Sequence, residues 1–251
     1  MSIQVRNPHS VLAALRTRPS DVIELILPPS QKGGASGDDA WDQVARIARE
    51  KGIKTRSGSG GGRPGPGNPN KNEGGRTGAS EATLKDKQPV SIEELFQGAR
   101  EKGGGNGLWL ALDSLQDPHN LGAIFRTASF FGVQGIVMTQ ERSAPLTGAA
   151  YDVSCGGIED VPFAIQVNLQ RAFEKAKEAG LWILGTSEHA HDNIASIQKD
   201  RPWLLVLGNE EKGLRRLTEE SCDLLCKVPS VGGVTSLNVS VAAGIFISRL
   251  A

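Results

Sequence analysis

The sequence predicts an α/β protein, with a helix-covered parallel sheet over residues 84–251 preceded by a smaller α/β unit over residues 1–56. Three observations lead there. Apolar runs of about five residues recur through the second half, separated by stretches of helical periodicity; strands buried on both faces and joined by crossover helices give this pattern. The chain has 251 residues, enough for one large domain or two smaller ones with a self-sustaining core. A Gly/Pro-rich stretch over 57–83 contains almost nothing that can be buried, so it reads as a flexible linker between the two parts.

In the first part, Ser10 to Leu15 reads as a short helix, and Val22 to Leu27 as a strand stopped by Pro28-Pro29. Asp38 or Asp39 would cap a helix running to about Lys51, with Trp41, Val44, Ile47 and Ala48 on one face. Gly52 ends it, and a strand begins near Ile53. The linker's Arg63, Lys71 and Arg76 leave open a second reading, an arm that tracks a nucleic-acid backbone; a flexible chain of this length spans about 25–30 Å.

Order resumes near Leu84. Ser91-Ile92-Glu93-Glu94 is a capping-box start followed by an apolar face. Strands are expected over 108–112, 135–139, 163–167, 181–185, 203–207 and 224–228. Helices fit over 120–131, 168–179, 214–221 and 237–250.

Composition excludes several classes. No run approaches the roughly 18 apolar residues of a membrane helix, and the N-terminus lacks an apolar signal core. Only three cysteines occur, which fits a reducing compartment: the cytoplasm, or an organellar matrix. No metal is expected, because His189 and His191 stand without a Cys or third His nearby and read as a solvated loop. Cys222 and Cys226 read as packing residues, with a redox pair as the alternative. Trp182 and Trp203 lie in apolar runs and read as core. Net charge is zero, but unevenly distributed: 15 Lys+Arg against 11 Asp+Glu over 1–100, and 13 against 17 over 101–251. The mildly basic first part is the better place for a nucleic-acid backbone to dock, should the chain bind one, though zero net charge is not the footprint of a protein that holds nucleic acid by charge alone.

Three segments carry chemistry. In the first, the strand ending at Leu112 runs through Asp113-Ser-Leu-Gln-Asp-Pro-His-Asn120 into a helix, with Asn120 free to cap its mouth and Arg126 two turns further in. A helix N-terminus opening from a parallel strand favours anions, and Arg126 adds a fixed positive fork. In the second, the strand over 203–207 ends at Gly208, where a backbone can approach a ligand closely, and Asn209 and Glu210 stand at its carboxyl end. In the third, Val228-Pro-Ser-Val-Gly-Gly-Val-Thr-Ser236-Leu-Asn238 leads from a strand through a Gly-rich loop into a helix. Thr235 and Ser236 can cap that helix, and Ala242, Ala243 and Gly244 allow close packing. Asn238 inside a first turn is a poor choice on propensity, which hints at a role for its side chain. Taken singly, each segment is also explained by a cap, a turn and solvated charges. No G-x-G-x-x-G follows a strand and no P-loop is present, so a nucleotide-dependent oxidoreductase is poorly supported.

Together, in order and spacing, the three segments resemble the three motifs of the SpoU (TrmH) family of RNA methyltransferases: Asn120-Leu-Gly-Ala-Ile-Phe-Arg126, Leu207-Gly-Asn-Glu210, and Pro229 through Ser236-Leu-Asn-Val-Ser240. Arg215-Arg216-Leu217-Thr218 and Cys222-Asp223 further resemble the branch that methylates a guanosine of large-subunit ribosomal RNA. Asn7 to Leu15 resembles the start of that branch's substrate-binding domain. The resemblance implies an α/β fold whose C-terminal chain forms a deep trefoil knot, an active site shared by two protomers of a homodimer, S-adenosylmethionine as cofactor, and ribosomal RNA as substrate. It implies that Gly185, Thr186, Gly208, Asn209, Val228 and Leu237 contact the cofactor, and that Asn120, Arg126, Glu210, Ser236 and Asn238 line the reaction centre. Transfer RNA as substrate and a non-catalytic RNA-binding assembly factor remain the alternatives. The sequence departs from the family pattern at Glu211, where Gly is usual, at Tyr151 to Gly157, and at Arg76-Thr77-Gly78, where the family's substrate domain carries a His-Gln-Gly motif.

Overall fold

A computed structural model of the chain describes residues 2–27, 40–58, 80–141, 143–209 and 212–251. They form two compact units, Met1–Lys87 and Gln88–Ala251.

The first unit contains β1 (Ser2–Val5), α1 (Pro8–Thr17), β2 (Val22–Leu27), α2 (Ala40–Glu50), β3 (Thr55–Ser57) and β4 (Glu81–Lys85). Helix α1 starts at Pro8, because proline suits the first helical position and the Asn7 side chain accepts from the His9 amide at 2.9 Å. Val11, Leu12, Ala14 and Leu15 bury its inner face. The strand order is β1-β4-β2-β3, with β4 antiparallel to both neighbours and β3 parallel to β2. Sequence reading placed residues up to 83 in the linker and began the second domain at 84. The structure instead puts 81–85 in the first unit's sheet. Ala82 and Leu84 are buried there while Lys85 is exposed, a two-residue alternation too short to stand out in sequence. The expected caps Asp38 and Asp39, and the linker residues 59–79 with Arg63, Lys71 and Arg76, lie outside the described residues.

The second unit contains α3 (Ile92–Leu95), β5 (Leu108–Leu112), α4 (Pro118–Phe130), β6 (Gly135–Thr139), α5 (Gly148–Ser154), α6 (Gly157–Asp160), β7 (Phe163–Gln166), α7 (Gln170–Glu178), β8 (Trp182–Thr186), β9 (Asp192–Asn193), β10 (Trp203–Leu207), α8 (Arg216–Glu220), β11 (Leu224–Lys227) and α9 (Val239–Leu250). Its strands form one sheet in the order β7-β6-β5-β10-β8-β11-β9, and every neighbouring pair is parallel. β5, β6 and β10 are buried at every residue, which is why they read as unbroken apolar runs. One face carries α3 and α7 over Trp109, Ala111, Ile183, Leu204 and Val206. Trp109 closes that layer by donating its indole N–H to the Leu95 carbonyl at 3.1 Å. On α4, Phe125 meets Phe163 edge-on at 6.0 Å.

The expected strands agree with the sheet to within a residue or two. Helix α4 begins at Pro118 rather than Asn120, because Asp117 takes the cap position, accepting from the His119 amide at 2.8 Å. Short α5 and α6 were not anticipated. They exist by packing on α4: a Cβ on Gly122 would lie 2.4 Å from the Ala150 carbonyl oxygen, and one on Gly157 would lie 2.5 Å from that of Phe125. Gly122→Ala should therefore destabilise the unit by about 1–3 kcal/mol in urea unfolding. A wild-type midpoint would contradict the close approach.

Candidate active site

The chain leaves β5 toward β6 and β7 on one side, while β10, β8, β11 and β9 lie on the other, so the strand order reverses between β5 and β10. In open parallel sheets the crevice at such a reversal, outside the carboxyl ends of the strands, is where ligands bind. Leu112 and Leu207 are register partners, so the turns after β5 and β10 leave the sheet side by side.

Those turns are fastened together. The Asp113 side chain is fully buried at the end of β5. It accepts from the Thr218 hydroxyl at 2.7 Å, the Arg215 amide at 3.4 Å and the Ser114 hydroxyl at 3.1 Å, and it pairs with Arg215 Nε at 2.7 Å. Ser114 has a positive φ of 62°, uncommon for a non-glycine residue. Its amide donates to Thr139 Oγ1 at 3.1 Å and its carbonyl accepts from Asn209 Nδ2 at 2.9 Å. Asn209 and Gly213 bond each other's backbones, closing the turn after β10.

A third fastening joins α4 to α9. Asn238 Nδ2 donates to Asn120 Oδ1 at 3.0 Å, while Asn238 Oδ1 accepts from the Ser240 amide at 2.9 Å. Asn238 is thus the cap of α9, in the place expected for Thr235 or Ser236, and its awkward propensity is resolved. Asn120 is buried in the first turn of α4. Arg126 is exposed and has no hydrogen-bond or ion-pair partner among the described residues.

A cleft of about 590 Å³ opens beside these fastenings, within the size range of small-molecule sites. Its walls follow the carboxyl ends of three adjacent strands: Thr186 to His189 after β8, Asn209 and Lys212 to Leu214 after β10, and Lys227 to Ser230 after β11. Val234 to Leu237 with Ala242 and Phe246 close the remaining side. Apolar Leu214, Val228, Leu237 and Phe246 face the same space as Thr186, Glu188 and Asn209, a lining suited to a flat heterocycle with a polar tail.

A family model described as the SpoU rRNA Methylase family matches residues 107–248. The chain belongs to that family. Over 62% of its length it is 44% identical to the 23S rRNA (guanosine-2'-O-)-methyltransferase RlmB of Nitrosomonas europaea, and the match spans 58% of that relative, less than two thirds of its length. Its fold matches the SpoU methyltransferase AviRb from Streptomyces viridochromogenes in complex with the cofactor AdoMet, with a TM-score of 0.73 and 20% identity over 99% of this chain and 89% of that one. It also resembles the A. aeolicus TrmH/SpoU tRNA modifying enzyme, at 26% identity and a TM-score of 0.53 over 63% of this chain and 80% of that one.

In this SpoU chain the predicted residues separate into groups. Thr186, Asn209, Val228, Ser236 and Leu237 line the cleft. Asn120 and Asn238 meet beside α4, and neither they nor Arg126 are among the residues lining the cleft. Glu210 and Glu211 lie outside the described residues. Two glycines serve the chain itself. The side of Gly208 where a Cβ would stand is taken by the backbone of Gly213 and Leu214, so this glycine lets the turn after β10 close tightly on itself. Gly185 packs against Cys222 and Leu225 and does not line the cleft. Gly244 has open space around it, so of the three small residues on α9 only Ala243 is buried in close packing. His189, read as part of a solvated loop, is exposed at the cleft rim. Trp203 is buried as expected, but Trp182 is 44% exposed and lies beneath the Arg201 guanidinium at 4.3 Å. Sequence reading gave Asp113 no role; its one signal was an acid directly after five buried apolar residues.

The three thiols are free. Burial, helped by the adjacent carboxylates Asp223 and Asp192 respectively, pushes Cys222 and Cys226 up to about 12. Their thiolates are therefore scarce until pH approaches that value, which disfavours a redox pair. In native protein at pH 8, iodoacetamide should modify Cys222 and Cys226 at least about 100-fold more slowly than after unfolding. Equal rates by mass spectrometry would show the burial to be wrong.

Proposed function

We propose that this chain transfers the methyl group of S-adenosylmethionine to a ribose 2′-hydroxyl of RNA, on a guanosine of large-subunit ribosomal RNA. The observation that carries the reading is the Asn238–Asn120 hydrogen bond, which brings the first and third family motifs together at the sheet's reversal point, next to a cleft bordered by the second. The 44% identity to a 23S ribosomal RNA guanosine methyltransferase favours ribosomal over transfer RNA.

In this proposal Thr186, Asn209, Val228 and Leu237 hold the cofactor, with Gly185 and Gly208 shaping the loops behind them. The bound cofactor supplies an already activated methyl group, so the protein's work is alignment and removal of one proton. Asn120 and Asn238 orient the ribose, with Ser236 and Glu210 lining the same centre. Arg126 has an unpaired guanidinium in this unit, ready to stabilise a developing alkoxide or grip the neighbouring phosphate. The first unit serves as the RNA-docking domain. The chain after β10 threads a loop to form a deep trefoil knot; support comes from the return of α9 to α4, where Asn238 reaches Asn120. The protein works as a homodimer in the cytoplasm or an organellar matrix. Support for the dimer is the exposed stripe of Leu237, Val241 and Ile245 leading from the cleft along α9. No helix among the described residues is long and apolar enough to cross a membrane, and no group of three metal-ligating side chains occurs among them.

The deciding assay is methyl transfer from labelled cofactor to unmethylated large-subunit ribosomal RNA, with bulk transfer RNA in parallel and the modified site mapped. A 2′-O-methyl mark on one ribosomal guanosine is expected. Transfer to transfer RNA alone would reassign the substrate, and absence of cofactor binding would revive a non-catalytic role. Arg126→Ala should lower kcat at least about 100-fold while leaving cofactor affinity within about twofold. Full activity in that variant would remove Arg126 from the centre. Val241→Asp should convert a dimer in sedimentation to monomer at micromolar concentration, whereas a wild-type monomer active on RNA would overturn the shared site.

A further inference from the structure

We propose that Asp113 is a positioning residue: its buried carboxylate, joined to Arg215 and Thr218, holds the segment after β10 as one wall of the cleft. This rests on the reading of that cleft as the cofactor site. The geometry is specific. Each carboxylate oxygen faces an N–H that cannot reverse its role: Oδ1 faces Arg215 Nε at 2.7 Å, and Oδ2 faces the Arg215 amide at 3.4 Å. The Ser114 and Thr218 hydroxyls complete the two sides at 3.1 and 2.7 Å. Thr218 is itself buried on α8, so the carboxylate reaches from the end of β5 to a helix more than 100 residues later.

Between Asn209 and Arg215, the described residues Lys212, Gly213 and Leu214 all line the cleft. The same acid orients the Ser114 hydroxyl, and the Ser114 carbonyl holds Asn209, another lining residue. Asp113 does not itself line the cleft. It acts through the wall, so its loss should be felt in cofactor affinity more than in the chemical step.

Asp113→Asn tests this with little change in shape. Whichever way the amide is turned, its NH2 meets an obligate N–H donor, so one anchor must release. Three readouts are made on the full chain. Amide exchange over 212–218 should accelerate at least about tenfold while α4 and α9 keep their protection. The calorimetric Kd for S-adenosylmethionine should weaken about 10–100-fold, the range for partners that act behind a contact. The kcat at saturating cofactor should stay within about threefold of wild type. Should Asp113→Asn fail to fold, Thr218→Val keeps the ion pair, and its expected Kd change is about 3–10-fold in the same direction. Exchange that rises uniformly through the unit, or a Kd within twofold of wild type in the variants that fold, would overturn the proposal. If the wild-type chain binds no S-adenosylmethionine, the methyltransferase reading falls, and localised or uniform exchange over 212–218 still decides whether Asp113 anchors the segment.

Discussion

The parallel pairing of β5 with β10 is the constraint on which the rest of the second unit depends. Both strands are buried along their whole length, and their register sets Leu112 beside Leu207. Because they are neighbours in the sheet and nearly a hundred residues apart in sequence, the two turns leaving them have to share one small space. Gly208 lets the turn after β10 stay tight by having no side chain where Gly213 and Leu214 fold back, and Asp113 ties the two turns together by offering acceptors to donors from the later segment. Burying a carboxylate is costly unless it is fully bonded, and here each oxygen has donors on more than one element. The result is a crowded, well-bonded corner from which the cleft opens.

The two asparagines show how one side-chain type serves structure and site together. Asn238 spends its oxygen on capping α9, an ordinary task for that position. Its amine remains available and reaches Asn120 on α4. A serine or aspartate could cap as well, but neither brings a fixed donor along with the acceptor. A polar contact thus joins α4 and α9 at the point where the helices begin, with Arg126 left outward two turns along α4. The same helix is braced from behind by α5 and α6, whose backbones approach it through Gly122 and Gly157.

Much of the second unit was legible residue by residue. Strands buried on both faces produce unbroken apolar runs, so β5, β6 and β10 were read with their exact ends. Helix ends were legible only where the cap was local. Ser91 was recognised because its partner Glu94 is three residues away, whereas Asp117 was passed over for the more conspicuous Asn120. Strands β1 and β4 were missed because each pairs across the first unit and buries only one or two residues of its own. Trp182 was read as core from its apolar neighbours, yet it is the first residue of β8 and stands half exposed, with Arg201 over its ring.

By itself the sequence determined the fold class, the order of strands and helices along the second unit, and three polar segments at strand ends, because those follow from local periodicity and chain punctuation. The tertiary structure alone decided which of those segments meet. Nothing local links Asn120 to Asn238, Asp113 to Thr218, or Thr186 to Val228 across the cleft. Those pairs arise from the lateral order of strands in the sheet, and that order is chosen by the simultaneous burial of the apolar faces. Gly208 and Gly185 illustrate the difference most simply: a glycine in sequence marks a place where something comes close, and only the folded chain shows which parts of the protein do, Gly213 and Leu214 beside the first and Cys222 and Leu225 beside the second.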